Sequence, residues 1–167
     1  KRFVGQELAG RTLGVVGLGA IGVKVANAAR ALGMRVLGLD PHMTVEGAWQ
    51  LSADVIKAGS LNELYAGSDF VSFHVPLTDD TRNLFDQGSL QHVRNGVVLL
   101  NFARPGIVDG QALRTGLEQG RISRYVTDFP VPGLAGNERV IALPHLGAST
   151  REAEENSAVM VVEQLRD

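Results

Sequence analysis

The stretch that decides the fold is GVVGLGAIGVKVANAARALGMRVLGLD, residues 14–40. It begins with an apolar run, continues through glycines at positions 17, 19 and 22, and then follows a helix-like pattern to Leu32. A second apolar run ends at Asp40, 18 positions after Gly22. Glycines between a strand pattern and a helix pattern predict a tight strand-turn-helix connection.

This turn has the glycine spacing of a dinucleotide-binding connection. Gly17 allows the tight turn, Gly19 lets a diphosphate approach the backbone, and Gly22 lets the helix pack on the strand. The free N–H groups at the helix start would face the phosphates. Asp40 would accept hydrogen bonds from a ribose 2′-hydroxyl and repel a 2′-phosphate, which favours NAD over NADP. A purely structural turn and an S-adenosylmethionine site are the alternatives.

Length and composition indicate one globular domain. Of 167 residues 44% are hydrophobic, and a formal charge of -2 without a long basic block argues against a nucleic-acid partner. The absence of cysteine excludes disulfides, thiolate metal sites and thiol nucleophiles. The first residues lack the apolar core of a signal peptide, and no apolar run reaches the ~18 residues that span a bilayer. We therefore expect a cytoplasmic protein with no membrane partner and no metal.

Short apolar runs alternate with helical patterns along the chain. Six runs are typical of strands buried on both faces: 12–17, 35–40, 69–75, 96–102, 124–129 and 139–144. Helical patterns cover 21–32, 61–66, 89–93, 110–119 and 149–165, while 45–51 and 55–57 suit a short helix and a short edge strand. The alternation predicts an α/β fold, a Rossmann-type doubly wound parallel sheet with helices on both faces.

Polar residues just beyond the predicted strands are the candidates for a site, because ligands of open α/β sheets lie at the carboxyl ends of the strands. Arg104 follows the fourth run, and its guanidinium can hold a carboxylate through two parallel hydrogen bonds. His145 follows the sixth run, and imidazole can take the proton of a substrate hydroxyl. Either residue could be an ordinary loop residue, but neighbouring strand ends beside the glycine turn favour an active site. His74 is either a rim residue or directed into the core.

Five blocks of the sequence resemble the D-isomer-specific 2-hydroxyacid dehydrogenases, in the order and spacing of that family. They are VVGLGAIG (15–22), HVPLTDDTRNLF (74–85), VVLLNFARPGIVDGQAL (97–113), GRISRYVTDFP (120–130) and VIALPHLGASTREAEENSAVMVVEQL (140–165). The resemblance runs from about residue 10 to the end. Several blocks in series are far more specific than any one of them.

The resemblance implies that residues 1–167 are the dinucleotide-binding domain of an oxidoreductase that transfers hydride between NAD and a 2-hydroxy acid. Among family members the blocks are most similar to those that act on D-3-phosphoglycerate in serine biosynthesis. The family's substrate domain, built from flanking sequence at both ends, would be absent from this chain, so the isolated domain would be inactive. Family members are usually dimers, which implies a homodimer.

The resemblance also assigns roles to single positions. The catalytic arginine falls on Arg104 and the acid/base histidine on His145. Asp128 is the expected nicotinamide contact, because the family's aspartate falls on Thr127, one residue earlier. The implied NAD contacts are Gly17, Gly19, Ala20, Ile21, Gly22, Asp40, His74, Val75, Pro76, Thr81, Phe102, Ala103, Arg104, Asp128, His145, Gly147 and Ala148.

One position departs from the family pattern. The glutamate that pairs with the family's histidine falls on Pro132, which has no carboxylate. Either another acid serves, with Glu138 as the nearest downstream candidate, or catalysis is weakened, because an adjacent negative charge favours the protonated imidazole. The departure keeps a second function open, an NAD-responsive scaffold similar to the corepressors that resemble this family.

Overall fold

The structure, a computed structural model, describes residues 5–147 and 149–164. The described strands are β1 Thr12–Val16, β2 Arg35–Leu39, β3 Ile56–Lys57, β4 Phe70–Phe73, β5 Val97–Asn101, β6 Ile122–Thr127 and β7 Val140–Ala142. The described helices are α1 Ala20–Ala31, α2 Val45–Gln50, α3 Leu61–Gly67, α4 Gln87–His92, α5 Gly110–Glu118 and α6 Arg151–Gln164. Every strand and helix that the sequence predicted is present within a few residues of its expected bounds.

The seven described strands form one parallel sheet in the order β3-β2-β1-β4-β5-β6-β7. The chain moves outward from β1 to β3 and then returns to place β4 on the other side of β1. In the sheet register, Val16 at the end of β1 lies opposite both Leu39 and Phe73, so three strands end at one level. The reversal between β1 and β4 is where ligands bind in doubly wound sheets. The predicted Rossmann-type α/β fold is confirmed.

Helices cover both faces of the sheet, and each face has its own hydrophobic cluster. On one face Val23 and Ala26 of α1 pack with Leu13 and Val15 of β1. On the other face a larger cluster joins α3, α4 and α5 to side chains of β4, β5 and β6. Burial of both sheet faces explains why the central strands are nearly continuous apolar runs.

The outermost strand β7 does not follow the prediction that all six runs are buried on both faces. Ile141 and Leu143 are exposed, whereas every residue of β1 is buried. The reason is position in the sheet, because β7 is an edge strand that pairs only with β6 among the described residues. None of the described side chains of α6, which follows it, is buried.

Candidate functional site

The glycine turn, residues 17–22, connects β1 to α1 at the point where the strand order reverses. Gly17 has a φ of +92°, and a Cβ there would lie 2.7 Å from the carbonyl oxygen of His74. A Cβ on Gly22 would overlap the carbonyl oxygen of Gly17. These two glycines are therefore required by the packing of α1 and the β4 end against the turn.

Gly19 differs from the other two glycines of the turn. Its φ is -73°, and a Cβ on it would meet no atom within 4 Å, so the packing of the described residues does not demand glycine here. It lies at the start of α1, which has no side-chain cap and no acidic residue in its first turn. The first N–H groups of a helix have no partner inside the helix. The open space beside Gly19 and these donors fit the diphosphate of a dinucleotide.

The carboxylate of Asp40 lies beside this turn and connects it to the chain beyond β2. Its Oδ2 accepts the N–H of Leu18 at 2.7 Å, and its Oδ1 accepts the N–H of His42 at 2.8 Å. A carboxylate oxygen has two lone pairs, so each oxygen keeps one for a ribose hydroxyl. The two backbone bonds fix where the negative charge lies, and that charge opposes a 2′-phosphate.

A cleft of about 240 Å³ opens next to the glycine turn. Its lining consists of seven residues, all of them predicted NAD contacts: Ile21, His74, Val75, Pro76, Phe102, Ala103 and Arg104. Three parts of the chain therefore meet at this cleft: the start of α1, the segment that follows β4 and the segment that follows β5. Thr81, another predicted contact, donates its hydroxyl to the carbonyl oxygen of Pro76 at 2.5 Å and so shapes this wall.

His74 is half-buried at the end of β4, which answers whether it is a rim or a core residue. Its Nε2 lies 2.8 Å from the hydroxyl of the buried Ser72, and its backbone N–H donates to the carbonyl oxygen of Val16. Burial lowers the pKa of His74 from the ordinary value of 6.5, because desolvation disfavours the charged ring. A neutral His74 therefore forms part of the cleft wall at neutral pH.

Arg104 projects from a short segment that a buried asparagine holds in place. Asn101, the last residue of β5, is 1% exposed. Its amide nitrogen donates to the carbonyl oxygen of Arg104 at 3.0 Å, and its amide oxygen accepts the N–H of Ala103 at 3.2 Å. The guanidinium is exposed and bonds to the carbonyl oxygen of Ala103, which leaves other N–H donors for a carboxylate. Asn101 belongs to the polar residues that the sequence places just past the strands, and the structure adds a role that the sequence did not assign to it, positioning the Arg104 segment.

His145 follows the end of β7 and is hydrogen-bonded to Asp128, which follows the end of β6. His145 Nδ1 lies 2.8 Å from Asp128 Oδ2, and their side chains are 60% and 12% exposed. The ring of Phe129 packs on the imidazole, with centroids 4.9 Å apart and an interplanar angle of 33°. The histidine is thus held from two sides by consecutive residues of one segment.

This pairing shows which carboxylate lies beside His145, for which the sequence offered only Glu138 as a named candidate. Glu138 precedes β7, whereas His145 follows it, so the strand separates them. Glu138 lines a different cavity, at the amino end of the sheet with Arg11 and Arg94. The candidate Glu138 is therefore wrong as a partner of His145, and Asp128 occupies that place.

Thr127 and Asp128 have different surroundings, as expected for consecutive residues at a strand end. Thr127 is fully buried, and its hydroxyl oxygen accepts the N–H of Phe129 at 3.2 Å. Asp128 carries the pair with His145. Gly147, two residues after His145, is exposed, and Ala148 lies outside the described residues.

Arg104, Asp128 and His145 lie at one edge of the sheet, because they follow the carboxyl ends of the parallel strands β5, β6 and β7. The strands of Arg104 and His145 are not direct neighbours, since β6 lies between them. Two strand spacings, about 10 Å, leave room for a small substrate between a guanidinium and an imidazole.

Other site types find less support in the described part of the chain. No helix there is both long and apolar enough to cross a membrane. Within the same residues, His, Asp and Glu side chains form no group of three or more suited to a metal ion. A cavity of about 730 Å³, larger than the cleft beside the glycine turn, lies at the amino end of the sheet.

Comparison with known proteins supports a dinucleotide site at the glycine turn. Residues 1–147 match the family described as "D-isomer specific 2-hydroxyacid dehydrogenase, NAD binding domain". The D-3-phosphoglycerate dehydrogenase of Synechocystis sp. is 40% identical over 173 residues, which cover 100% of this chain and 31% of that protein. The chain therefore spans about a third of the length of this curated relative.

Two solved structures share the fold closely. A glyoxylate reductase from Paecilomyes thermophila has a TM-score of 0.87 and 32% identity, covering 98% of this chain and 51% of that one. A D-lactate dehydrogenase from Aquifex aeolicus, complexed with NAD and lactic acid, has a TM-score of 0.83 and 29% identity, covering 99% of this chain and 56% of that one. NAD, which the glycine turn predicted, is the cofactor in the family description, so the S-adenosylmethionine alternative is set aside. The chain belongs to the D-isomer specific 2-hydroxyacid dehydrogenases, as their NAD-binding domain.

Proposed function

We propose that this chain is the NAD-binding domain of a dehydrogenase that oxidises a 2-hydroxy acid, or reduces the corresponding 2-oxo acid, with D-3-phosphoglycerate as the substrate. The observation that carries the proposal is the arrangement of Arg104 and the paired His145 at the sheet edge that also holds the glycine turn. The substrate follows from the similarity to D-3-phosphoglycerate dehydrogenases.

Residues of the glycine turn, of the cleft and of the neighbouring strand ends would hold the cofactor. The N–H groups of Ala20 and Ile21 bind its diphosphate, and Asp40 binds the adenosine ribose. Three further groups of residues contact it: His74, Val75, Pro76 and Thr81; Phe102, Ala103 and Arg104; and Asp128, His145, Gly147 and Ala148. When bound, NAD supplies the acceptor for the hydride that leaves the substrate.

Arg104 binds the substrate and His145 moves the proton. The exposed guanidinium forms two parallel hydrogen bonds with the substrate carboxylate and so fixes the position of the neighbouring hydroxyl-bearing carbon. His145 Nδ1 is occupied by Asp128, so Nε2 is the ring nitrogen that takes the hydroxyl proton. In the reverse reaction, Nε2 returns this proton to the oxygen.

The full-length protein supplies what this domain lacks. A substrate domain outside residues 1–167 provides the remaining substrate contacts, so this domain alone binds NAD with little turnover. We also propose a cytoplasmic homodimer. The lack of cysteine supports a reducing compartment, and exposed apolar residues such as Val159 and Val161 of α6 support a subunit contact.

The test is NAD reduction by the full-length protein with D-3-phosphoglycerate, glycerate and lactate, beside calorimetric titration with NAD. We expect NAD binding and turnover, with the highest kcat/KM for D-3-phosphoglycerate. Binding without turnover on any of the three acids would instead favour an NAD-responsive scaffold. A calorimetric trace without heat would contradict both functions.

A further inference from the structure

His145 has a carboxylate partner although the position of the family's glutamate is occupied by proline. The position of the family's glutamate is Pro132, yet His145 is bonded to a carboxylate, that of Asp128, at 2.8 Å. This residue comes from the strand end next to His145 in the sheet, four positions earlier in the chain than Pro132.

The local structure fixes Asp128 more firmly than it fixes His145. The hydroxyl of the buried Thr127 accepts the N–H of Phe129, so the backbone on both sides of Asp128 is pinned to the end of β6. Phe129 in turn stacks on the imidazole. The exposed histidine therefore takes its orientation from residues 127–129.

The hydrogen bond also determines which ring nitrogen carries the proton. An ionised carboxylate only accepts hydrogen bonds, so the neutral imidazole donates from Nδ1 to Asp128 Oδ2. Nε2 then has a free lone pair. No hydrogen bond to Nε2 occurs among the described residues, and the side chain is 60% exposed, so a ligand can reach that nitrogen.

The charge balance around Asp128 favours a cationic partner. Its side chain is 12% exposed, and its Oδ1 is buried without a hydrogen-bond partner among the described residues. A poorly solvated carboxylate is stabilised by a positive charge in contact with it. An imidazolium at His145 supplies that charge at the moment when the ring has taken a proton.

We propose that Asp128 is the positioning carboxylate of His145: it holds the ring with hydrogen on Nδ1, directs Nε2 to the substrate, and stabilises the imidazolium that forms when Nε2 takes the hydroxyl proton. The inference rests on the proposed function. One residue at the end of β6 thereby takes the place of a carboxylate at position 132.

The kinetic test uses the full-length protein with Asp128→Asn, Asp128→Glu and the matched control Glu138→Gln. The asparagine has the same shape, but its amide can donate to Nδ1 and favour the tautomer with hydrogen on Nε2. We expect a kcat lower by about 10²- to 10⁴-fold and, because Asp128 is only one of many proposed NAD contacts, an NAD dissociation constant changed by less than about tenfold. The kcat of Asp128→Glu should be at least about tenfold higher than that of Asp128→Asn. Glu138→Gln should keep the parental kcat, because Glu138 lies at the opposite end of β7 from His145.

The second readout is independent of turnover. Histidine-selective ¹⁵N labelling of the ligand-free full-length protein, with His145 assigned through His145→Gln, distinguishes the two neutral tautomers in long-range ¹H–¹⁵N spectra. We expect hydrogen on Nδ1 in the parent and on Nε2 in Asp128→Asn. A parent ring with hydrogen on Nε2, or an Asp128→Asn protein with kcat within about twofold of the parent, would overturn the inference.

These outcomes separate the inference from the proposed function. A parent protein that turns over 2-hydroxy acids while Asp128→Asn is equally active rejects only the role of Asp128. A parent protein that binds NAD but turns over no 2-hydroxy acid rejects the proposed function and, with it, the catalytic role of the pair. Equal losses of kcat and of NAD affinity in both Asp128 variants would mark Asp128 as merely structural and also reject the inference.

Discussion

The glycine turn and the pair of His145 with Asp128 lie at the same edge of the sheet but are held in opposite ways. The turn is a backbone feature inside the fold, where a Cβ on Gly22 would overlap its own loop. The pair consists of side chains on two connections outside the sheet, and the His145 side chain is 60% exposed. The fold therefore needs the turn for its own packing, whereas it does not need the pair.

This difference separates stability from chemistry within one site. Changes in the turn should alter folding and cofactor binding, because the first turn of α1 is built on it. Changes in the pair should leave the fold intact, reduce NAD affinity only slightly because many other residues also contact NAD, and mainly alter the proton transfer. The variants below test this separation, beginning with the largest expected effect.

His145→Gln should reduce turnover without affecting the fold. Glutamine fills similar space but cannot take a proton, so kcat of the full-length protein should fall by about 10²- to 10⁴-fold, while NAD affinity, which depends on many other contacts, should change by less than about tenfold. Steady-state kinetics and calorimetry measure the two quantities. His92→Gln, at an exposed position of α4, is the matched control and should behave as the parent. Parental turnover in His145→Gln would remove this residue from the mechanism.

Gly22→Ala should instead reduce the stability of the fold. The new methyl group would overlap the carbonyl oxygen of Gly17, a backbone atom that cannot rotate away, so α1 must shift from β1. We expect the free energy of unfolding of the chain to fall by about 1–3 kcal/mol. Urea denaturation followed by circular dichroism measures this change.

Gly19→Ala is the matched control, because it adds the same methyl group three residues earlier. Its backbone φ of -73° suits alanine, and the methyl group would meet no atom within 4 Å. Stability should remain within about 0.5 kcal/mol of the parent, while NAD affinity should fall because the methyl group takes the space beside the helix N–H groups. Equal destabilisation by both substitutions would contradict the division of roles between Gly19 and Gly22.

The same contrast explains which parts of the molecule the sequence could predict. Gly17 has a positive φ, and Gly22 and Asp40 contact other residues of the β1-α1-β2 unit, so their spacing along the chain is enough to place them. The partner of His145 depends instead on which strand ends become neighbours. Glu138 is nearer to His145 in sequence than Asp128 is, but β7 lies between them. Because a strand extends by about 3.3 Å per residue, Glu138 and His145 lie at opposite ends of β7.

Thr127 and Asp128 show a second limit of sequence reasoning. Successive side chains of a strand point to opposite sides, so a shift of one residue decides which of the two is buried. The family pattern favours the first position and the structure brings the second to His145. Likewise, exposure of the edge strand β7 depends on the order of strands in the sheet, which an apolar run such as Val140–Ala142 does not reveal.

Asp40→Asn should change the preference for NAD over NADP, and this effect should be smaller than those of the preceding substitutions. The amide keeps one acceptor for the backbone N–H groups of Leu18 and His42 but loses the negative charge. We expect NAD to bind about tenfold more weakly, the loss of one hydrogen bond to a charged group, and NADP to bind more tightly than it binds the parent. Calorimetric titration with both dinucleotides measures the ratio. Asp54→Asn, which removes the carboxylate bonded to Arg30 near the end of α1, is the control and should leave the ratio unchanged.

The smallest effect is expected from His74, which packs beside the glycine turn and lines the cleft. Its pKa in the folded chain is lowered from 6.5 by burial. Above this pH neither the folded nor the unfolded chain protonates the ring. As pH falls through 6.5 the unfolded chain takes up a proton that the folded chain resists, so stability decreases until the lower, folded pKa is passed.

His74→Gln removes this proton uptake and should therefore weaken the loss of stability below the same pH. Urea denaturation of parent and variant between about pH 5 and pH 8 measures the difference, and we expect the parent's advantage over the variant to shrink as pH falls. His92→Gln, at an exposed position, should retain the parental pH dependence. An advantage that stays constant, or grows, toward acid would mean that the bond between His74 and Ser72 holds a charged ring in the folded chain, and the cleft wall beside the turn would then carry a positive charge.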